Sequence, residues 1–262
     1  MVVNIKRSDF MTDFNMFADN FYTMGVLMAK APKGNMLNIS TALICSSGQP
    51  YSDENYLLFS PAANSVHIDC ATQLMPSFRV PYTVPIFPGC DEFMPQLLRD
   101  NGLKPGETHY AMGLDKCEMA MDPACERVTE ENVKDFIETV WYGFGSGPDF
   151  DYEYADYIKY MALLPVTESY ILRNEEGKAV SCGLLLDSGS VFGTYYFATL
   201  PDERRKGYAR RLMNSLAARS FEKYESLVLL ATESGKPFYD SFGFAELGTV
   251  PVYRAEYKKE EL

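Results

Sequence analysis

From Thr129 onward the apolar residues of this chain change period several times, and that succession limits its fold more than any other feature of the sequence. In VTEENVKDFIETVWYGF, Val133, Phe136, Ile137, Val140, Trp141 and Phe144 fall at helical spacing, with Thr129 as a candidate N-cap and acids in the first turn. GFGSGPDFD breaks that helix, and YEYADYIKYMALL resumes as a second one before Pro165. Residues 169–199 then alternate and carry turn compositions at Asn174 to Gly177 and at DSGS, which predicts a three-stranded antiparallel meander. A helix opens at Gly207, with Ala209, Leu212, Met213, Leu216, Ala217 and Phe221 on one face. SLVLLAT reads as a buried strand, KPFYDSFGF as a short helix ending at Gly243, and GTVPVYRAEY as a last strand. The order helices, meander, helix, strand, helix, strand predicts an α+β fold, an α/β mixed sheet, for residues 126–262.

The first half, residues 1–125, is read as an α+β unit of ordinary domain size. NYLLFSP, SVHIDCA and RVPYTVPIF are expected as strands, and CDEFMPQLLRDNG as a helix beginning near Asp91 with Pro95 in its first turns and Gly102 beyond its end. His67 and His109 are far apart, each in an expected strand or loop, and read as structural. Six cysteines are scattered without a C-x-x-C pair, so neither zinc nor a disulfide framework is suggested, and no apolar signal segment follows Met1. A reducing cytoplasm is the expected compartment. No run approaches the roughly 20 apolar residues that cross a bilayer. The formal net charge of -12, with acids in excess in both halves, opposes binding to nucleic acid or anionic lipid.

Against that acidic background RRKGYARR is an exception, with Arg204, Arg205, Lys206, Arg210 and Arg211 in eight positions. The segment lies where a strand ends, a short turn follows and a helix begins. The free N–H groups and dipole of a helix's first turn bind phosphate, a glycine lets the phosphate approach the backbone, and cationic side chains add charge-assisted contacts. A solvated basic helix face is the simpler alternative, and the Gly and Ala spacing is what it leaves unexplained. ESGKPF lacks the residues of a nucleotide P-loop, and GFGSGP lacks the strand and spacing of a dinucleotide fingerprint.

Arg204-x-x-Gly207-x-Ala209, after Pro201 and the strand YYFAT, resembles the acyl-CoA pyrophosphate loop of the GNAT acyltransferase family. LLATESGKPFYDSFGF is similar to that family's next strand and helix, with Tyr239 four residues before Gly243. The resemblance implies that Phe197, Ala198 and Thr199 offer backbone groups to the pantetheine arm and to an oxyanion. It implies that Arg204, Arg205, Lys206, Gly207, Tyr208, Ala209 and Arg210 cradle the pyrophosphate, and that Ser234 contacts the cofactor. Tyr239 would protonate the departing thiolate. FMPQLLRDNGLKPGETHYAMGLD is similar, faintly, to part of the degenerate first half of two-domain members, and lacks the loop pattern.

The implied activity is N-acyl transfer from acetyl-CoA or another acyl-CoA to a primary amine of a small molecule or peptide, by direct attack in a ternary complex and with no metal. A non-catalytic acyl-CoA sensor is the alternative, and an RNA-binding protein is a third reading that the acidic surface opposes. No nucleic acid or membrane partner is expected, and the oligomeric state is left open, a homodimer included. The acidic balance favours a cationic acceptor. Glu233, Asp240 and Glu153 are conceivable bases, but solvated surface acids are the plainer reading of each.

Overall fold

The computed structural model describes residues 7–90, 92–147 and 149–255. Its elements fall into two units. The first comprises the residues up to Ala111, Leu230–Tyr239 and the chain from Glu246, and the second comprises Met112–Leu229 and Asp240–Ala245.

In the first unit, α1 (Arg7–Ala29) buries Phe14, Phe17, Phe21, Met24 and Met28, spaced three or four residues apart or at sums of those steps. Strands β1 (Asn35–Ile39), β2 (Ala42–Ser46) and β3 (Asn55–Phe59) form an antiparallel meander. The chain crosses through α2 (Ser65–Leu74) to β4 (Tyr82–Pro85), which is parallel to β3, and continues through α3 (Met94–Asp100) into β5 (Lys104–Asp115). Helix α3 carries Pro95 in its first turn and is followed by Gly102 at φ 85°, as the sequence predicts. The helix starts at Met94 with Phe93 as its N-cap, later than the expected start near Asp91.

SVHIDCA is a correction: it is helix α2 and not a strand. Asn64 accepts a hydrogen bond from the His67 amide through its side chain, and its own N–H donates to His67 Nδ1. This reciprocal cap fixes a helix start that the β-branched Val66 and Ile68 obscure. His67 is therefore a capping residue.

In the second unit a short edge strand β6 (Cys125–Arg127) precedes α4 (Val133–Gly143) and α5 (Tyr152–Ala162). The α4 start is corrected from Thr129 to an N-cap at Asn132, whose Oδ1 accepts from the Thr129 N–H, while Thr129 Oγ1 closes a turn onto Glu131. The meander follows as β7 (Thr167–Arg173), β8 (Ala179–Asp187) and β9 (Phe192–Thr199). Its turns are set by side chains: Asn174 Oδ1 accepts from the amides of Glu176 and Lys178, and Asp187 Oδ1 from Gly189. Helix α6 (Tyr208–Phe221) crosses over to β10 (Ser226–Ala231), parallel to β9. Then come α7 (Lys236–Phe242) and β11 (Ala245–Ala255). Glu256 and Tyr257 of the expected last strand lie outside the described residues.

The strand order is β1-β2-β3-β4-β11-β5 for the first unit and β10-β9-β8-β7-β6 for the second. Each unit thus repeats one connectivity, a meander followed by a helical crossover to a strand parallel to its third member. Strand β8 is buried along almost its whole length because α4 and α6 both pack on it.

Arg219 on α6 reaches Glu168 on β7 through Nε and Nη2, both at 2.7 Å, and the Tyr170 hydroxyl donates to the same carboxylate at 2.8 Å. The Arg219 guanidinium holds the Glu168 carboxyl below its usual range. Glu168→Gln is expected to cost about 2 kcal/mol in urea unfolding at neutral pH, because a half-buried guanidinium loses its ionic partner. A depressed carboxyl stabilises the fold above its unfolded value of 4.5 and loses that contribution as pH falls through the folded value. The gap between wild type and variant is therefore full at neutral pH and closes in acid.

Candidate active site

Strand β9 pairs with β8 in one register up to Tyr195 and shifts after it. Leu184 faces Tyr195 and Cys182 faces Ala198, so two steps on β8 oppose three on β9. This is a one-residue bulge, and Tyr196 within it has φ 47°, a left-handed conformation that a tyrosine adopts only under constraint. The pairing of β9 with β10 runs from Leu227↔Phe192 to Leu229↔Thr194 and, among the described residues, ends there.

Cys182 Sγ donates to the Tyr196 carbonyl and Ser181 Oγ to the Ala198 carbonyl, so both carbonyls turn towards β8. Alternation along the strand directs the backbone groups of Phe197 and Thr199 to the opposite edge. Tyr196 sends its side chain to α5, where its hydroxyl lies 3.2 Å from that of Tyr157.

Beyond β9 the loop bends sharply. Arg205 has φ 63° and Gly207, the N-cap of α6, has φ 90°. No side chain caps α6, and among the described residues the amides of Arg205 to Arg210 donate no hydrogen bond. The equivalent helix of the first unit, α2, has its first turn closed by Asn64 and His67. One crossover helix is sealed and the other presents a row of N–H donors. A Cβ built on Gly207 meets nothing within 4 Å, so the space over the loop is open.

Most of the cationic side chains are held by the protein itself. Arg204 Nη2 donates to the Gly143 carbonyl at 2.7 Å and its Nε to the Thr199 carbonyl at 3.2 Å, tying the end of β9 to the end of α4. Lys206 pairs with Glu203, Arg211 pairs with Asp122, and Arg210 donates to Ser241 and lies over the Phe242 ring. Arg205 is exposed and makes no ion pair among the described residues. The loop's capacity for an anion therefore rests first on backbone donors, with Arg205 as the side chain nearest to hand in sequence.

Gly143 is where α4 meets β9. A Cβ there would sit 2.7 Å from that of Ala198, so only glycine lets the helix approach the strand. Gly143→Ala is expected to lower stability by about 1–3 kcal/mol through overpacking, with Ala198→Gly in the same chain recovering most of it in thermal unfolding.

Tyr239 lies on α7 among the residues of the first unit, half-buried, with its ring edge-on to Phe238 at 5.2 Å. Burial pushes its phenol well above the ordinary value, so it stays protonated at neutral pH. Ser234, also of the first unit, is exposed, with its hydroxyl 3.2 Å from that of Thr232. The second unit also holds a cavity of about 710 Å³, whose lining includes Asp135, Glu138, Asp202 and Glu203 together with Arg173 and Lys178. Among the described residues there is no group of three or more metal-ligating side chains, and no helix is long and apolar enough to cross a membrane.

A bulged third meander strand, an early end to its pairing, and an uncapped helix behind R-x-x-G-x-A form one continuous segment. Residues 167–246, which contain it, match the family model described as an acetyltransferase (GNAT) domain. This match supports a GNAT superfamily member, through a segment that spans under half of the chain. A GCN5-related N-acetyltransferase from Kribbella flavida aligns with a TM-score of 0.65 at 9% identity, over 94% of this chain and 96% of its own. A conserved protein of unknown function from Staphylococcus epidermidis aligns at 0.62 with 13% identity, over 86% and 95%. A tandem GNAT protein from the clavulanic acid biosynthesis pathway aligns at 0.53 with 12% identity, over 82% and 79%. At these identities the likeness is one of fold, and its reach over most of the chain agrees with a two-half GNAT arrangement. No curated protein matches the chain in sequence.

Sequence reasoning missed three features in and around this segment. The bulge at Tyr196 has no glycine to announce it, the contact between Gly143 and Ala198 joins distant residues, and the buried Thr194 looks like any strand threonine. Of these, only Gly143 left a trace in the sequence, as a glycine at the end of an otherwise helical pattern.

Proposed function

We propose that the protein is an acyl-CoA-dependent N-acetyltransferase that moves an acetyl group from acetyl-CoA to a primary amine in a ternary complex. The observation that carries this reading is the contrast between the two crossover helices: α2 is capped by its own side chains, while α6 opens, behind two left-handed residues, with amides that donate to no protein group among the described residues. The residues present fit the co-substrate. Amides of Arg205 to Arg210 hold the pyrophosphate, Gly207 leaves room for it, and the outer edge of β9 at Phe197 and Thr199 takes the pantetheine as an added strand. Arg204 acts by holding the loop to Thr199 and Gly143. Ser234 is assigned a contact with the cofactor on motif position alone.

Acetyl-CoA supplies an activated thioester. A C–N bond forms from the amine lone pair as the C–S bond breaks, and its electron pair leaves with sulfur. A backbone N–H near Phe197 stabilises the carbonyl oxygen as it gains charge, whereas the Ala198 amide is turned to β8 and Cys182. Tyr239 gives its proton to the departing sulfur and regains one from solvent, a role that a phenol kept protonated by burial can fill. The nitrogen must arrive neutral, which costs an alkyl amine of pKa 10.4 about 4.6 kcal/mol at pH 7, and it releases its surplus proton to solvent. The acidic balance of the chain favours a cationic acceptor. The six cysteines stand unbonded, which supports a reducing compartment such as the cytoplasm. Thiol release that depends on an added amine tests the reading, and release at the same rate without amine opposes it.

A further inference from the structure

The cavity of about 710 Å³ in the second unit is not used by the proposed reaction. Helix α4, the turn between β7 and β8 and residues 200–203 line it, whereas Phe197 and Thr199, assigned to the acyl-CoA arm, do not. Gly143 sets α4 against Ala198, while a Cβ on Gly183 would touch both Phe197 and Leu216 of α6. The cavity thus lies on the side of β9 that Phe197 turns away from, and its volume suits a small molecule. Leu200 and Ala179, both buried, give it an apolar floor, and the exposed Tyr142 and Asp202 open it to solvent.

The lining selects a cation. Arg173 donates to Glu126, Asp135 and the Gly177 carbonyl, so its charge and that of Asp135 cancel within the wall. Against Lys178, exposed on the turn, stand the carboxylates of Glu138, Asp202 and Glu203. Glu138 meets Lys134 one turn away at a loose 3.6 Å, Asp202 makes no ion pair among the described residues, and Glu203 holds Lys206 at 3.0 Å. Tyr142 adds an aromatic ring that is 41% exposed, with Phe150 beside it at 6.4 Å. An organic ammonium ion matches all three features: its charge meets the acids and the tyrosine ring, and its carbon chain covers the apolar floor. The same lining reaches the anion loop, because Lys206, the partner of Glu203, belongs to the proposed pyrophosphate cradle and has a half-exposed side chain. We infer that this cavity is an effector site for an organic ammonium ion, and that its occupant strengthens acyl-CoA binding by competing for Glu203 and releasing Lys206 to the pyrophosphate. The cation site stands by itself, and the coupling rests on the proposed acyl-CoA site.

The test is calorimetric titration of the full chain with hexyltrimethylammonium, which has no N–H to acylate, and with hexanoate as an anion of similar chain length. The ammonium is expected to bind about tenfold tighter than hexanoate. Glu138→Gln combined with Asp202→Asn, isosteric changes on the cavity wall, should weaken it about tenfold, and Tyr142→Leu about threefold, the worth of an exposed cation–π contact. Saturating ammonium should tighten CoA about threefold in wild type, and by reciprocity CoA should tighten the ammonium by the same factor. Lys206→Ala should still bind the ammonium and lose the coupling. Absence of ammonium binding, tighter binding of hexanoate, or ammonium binding unchanged in the double variant would overturn the cation site. Binding without any effect on CoA affinity would overturn the effector role. Failure of CoA to bind while the ammonium still does would instead overturn the function on which the coupling rests.

Discussion

Gly207→Glu is expected to abolish acetyl-CoA binding, with affinity falling at least about a hundredfold in calorimetry. Two physical effects act together. At φ 90° any L side chain is strained, and the open space over the residue is where a pyrophosphate must sit, so the new carboxylate meets like charge at the mouth of α6. Gly207→Ala separates the two. It carries the strain, worth roughly 1 kcal/mol, without the charge, and should retain measurable binding. Unchanged affinity in Gly207→Glu would remove the loop from the account.

Tyr239→Phe should lower kcat about a hundredfold while the affinity for acetyl-CoA stays within about twofold, since the variant loses a proton donor and keeps the ring. Because burial holds the phenol above its ordinary value, wild type remains protonated from about pH 6 to about pH 9, and the deficit should be constant across that range. Equal rates for the two proteins at every pH would take the acid role from Tyr239. A deficit that appeared only in acid would point to another donor.

Most of the second half was legible because each element announces itself with a local signal. Gly177 and Gly189 turn the meander, the stripe from Leu212 to Phe221 is helical, and SLVLLA is an unbroken apolar strand. The first half was harder because its signals conflict. Val66 and Ile68 suggest a strand, and only the mutual hydrogen bonds of Asn64 and His67 show that the helix wins. The long α1, not anticipated from the sequence, mixes polar and apolar residues whose spacing becomes meaningful once Phe17 and Phe21 are seen packed against Phe87.

The loop illustrates a different limit. Residue types in RRKGYARR point to an anion, yet Arg204, Lys206, Arg210 and Arg211 are engaged by protein partners, and the donors that bond no protein group among the described residues are backbone amides. The sequence shows charge; the dihedrals of Arg205 and Gly207 and the absence of a cap on α6 are tertiary outcomes. The same holds for Tyr196, whose strained backbone follows from register and not from its own propensity.

The most direct test of the central claim is isothermal titration of the protein with CoA and acetyl-CoA, run beside thiol-release assays over a panel of primary amines. Saturable binding of both, with thiol release only when an amine is present, is the predicted result. Absence of binding to either would contradict it.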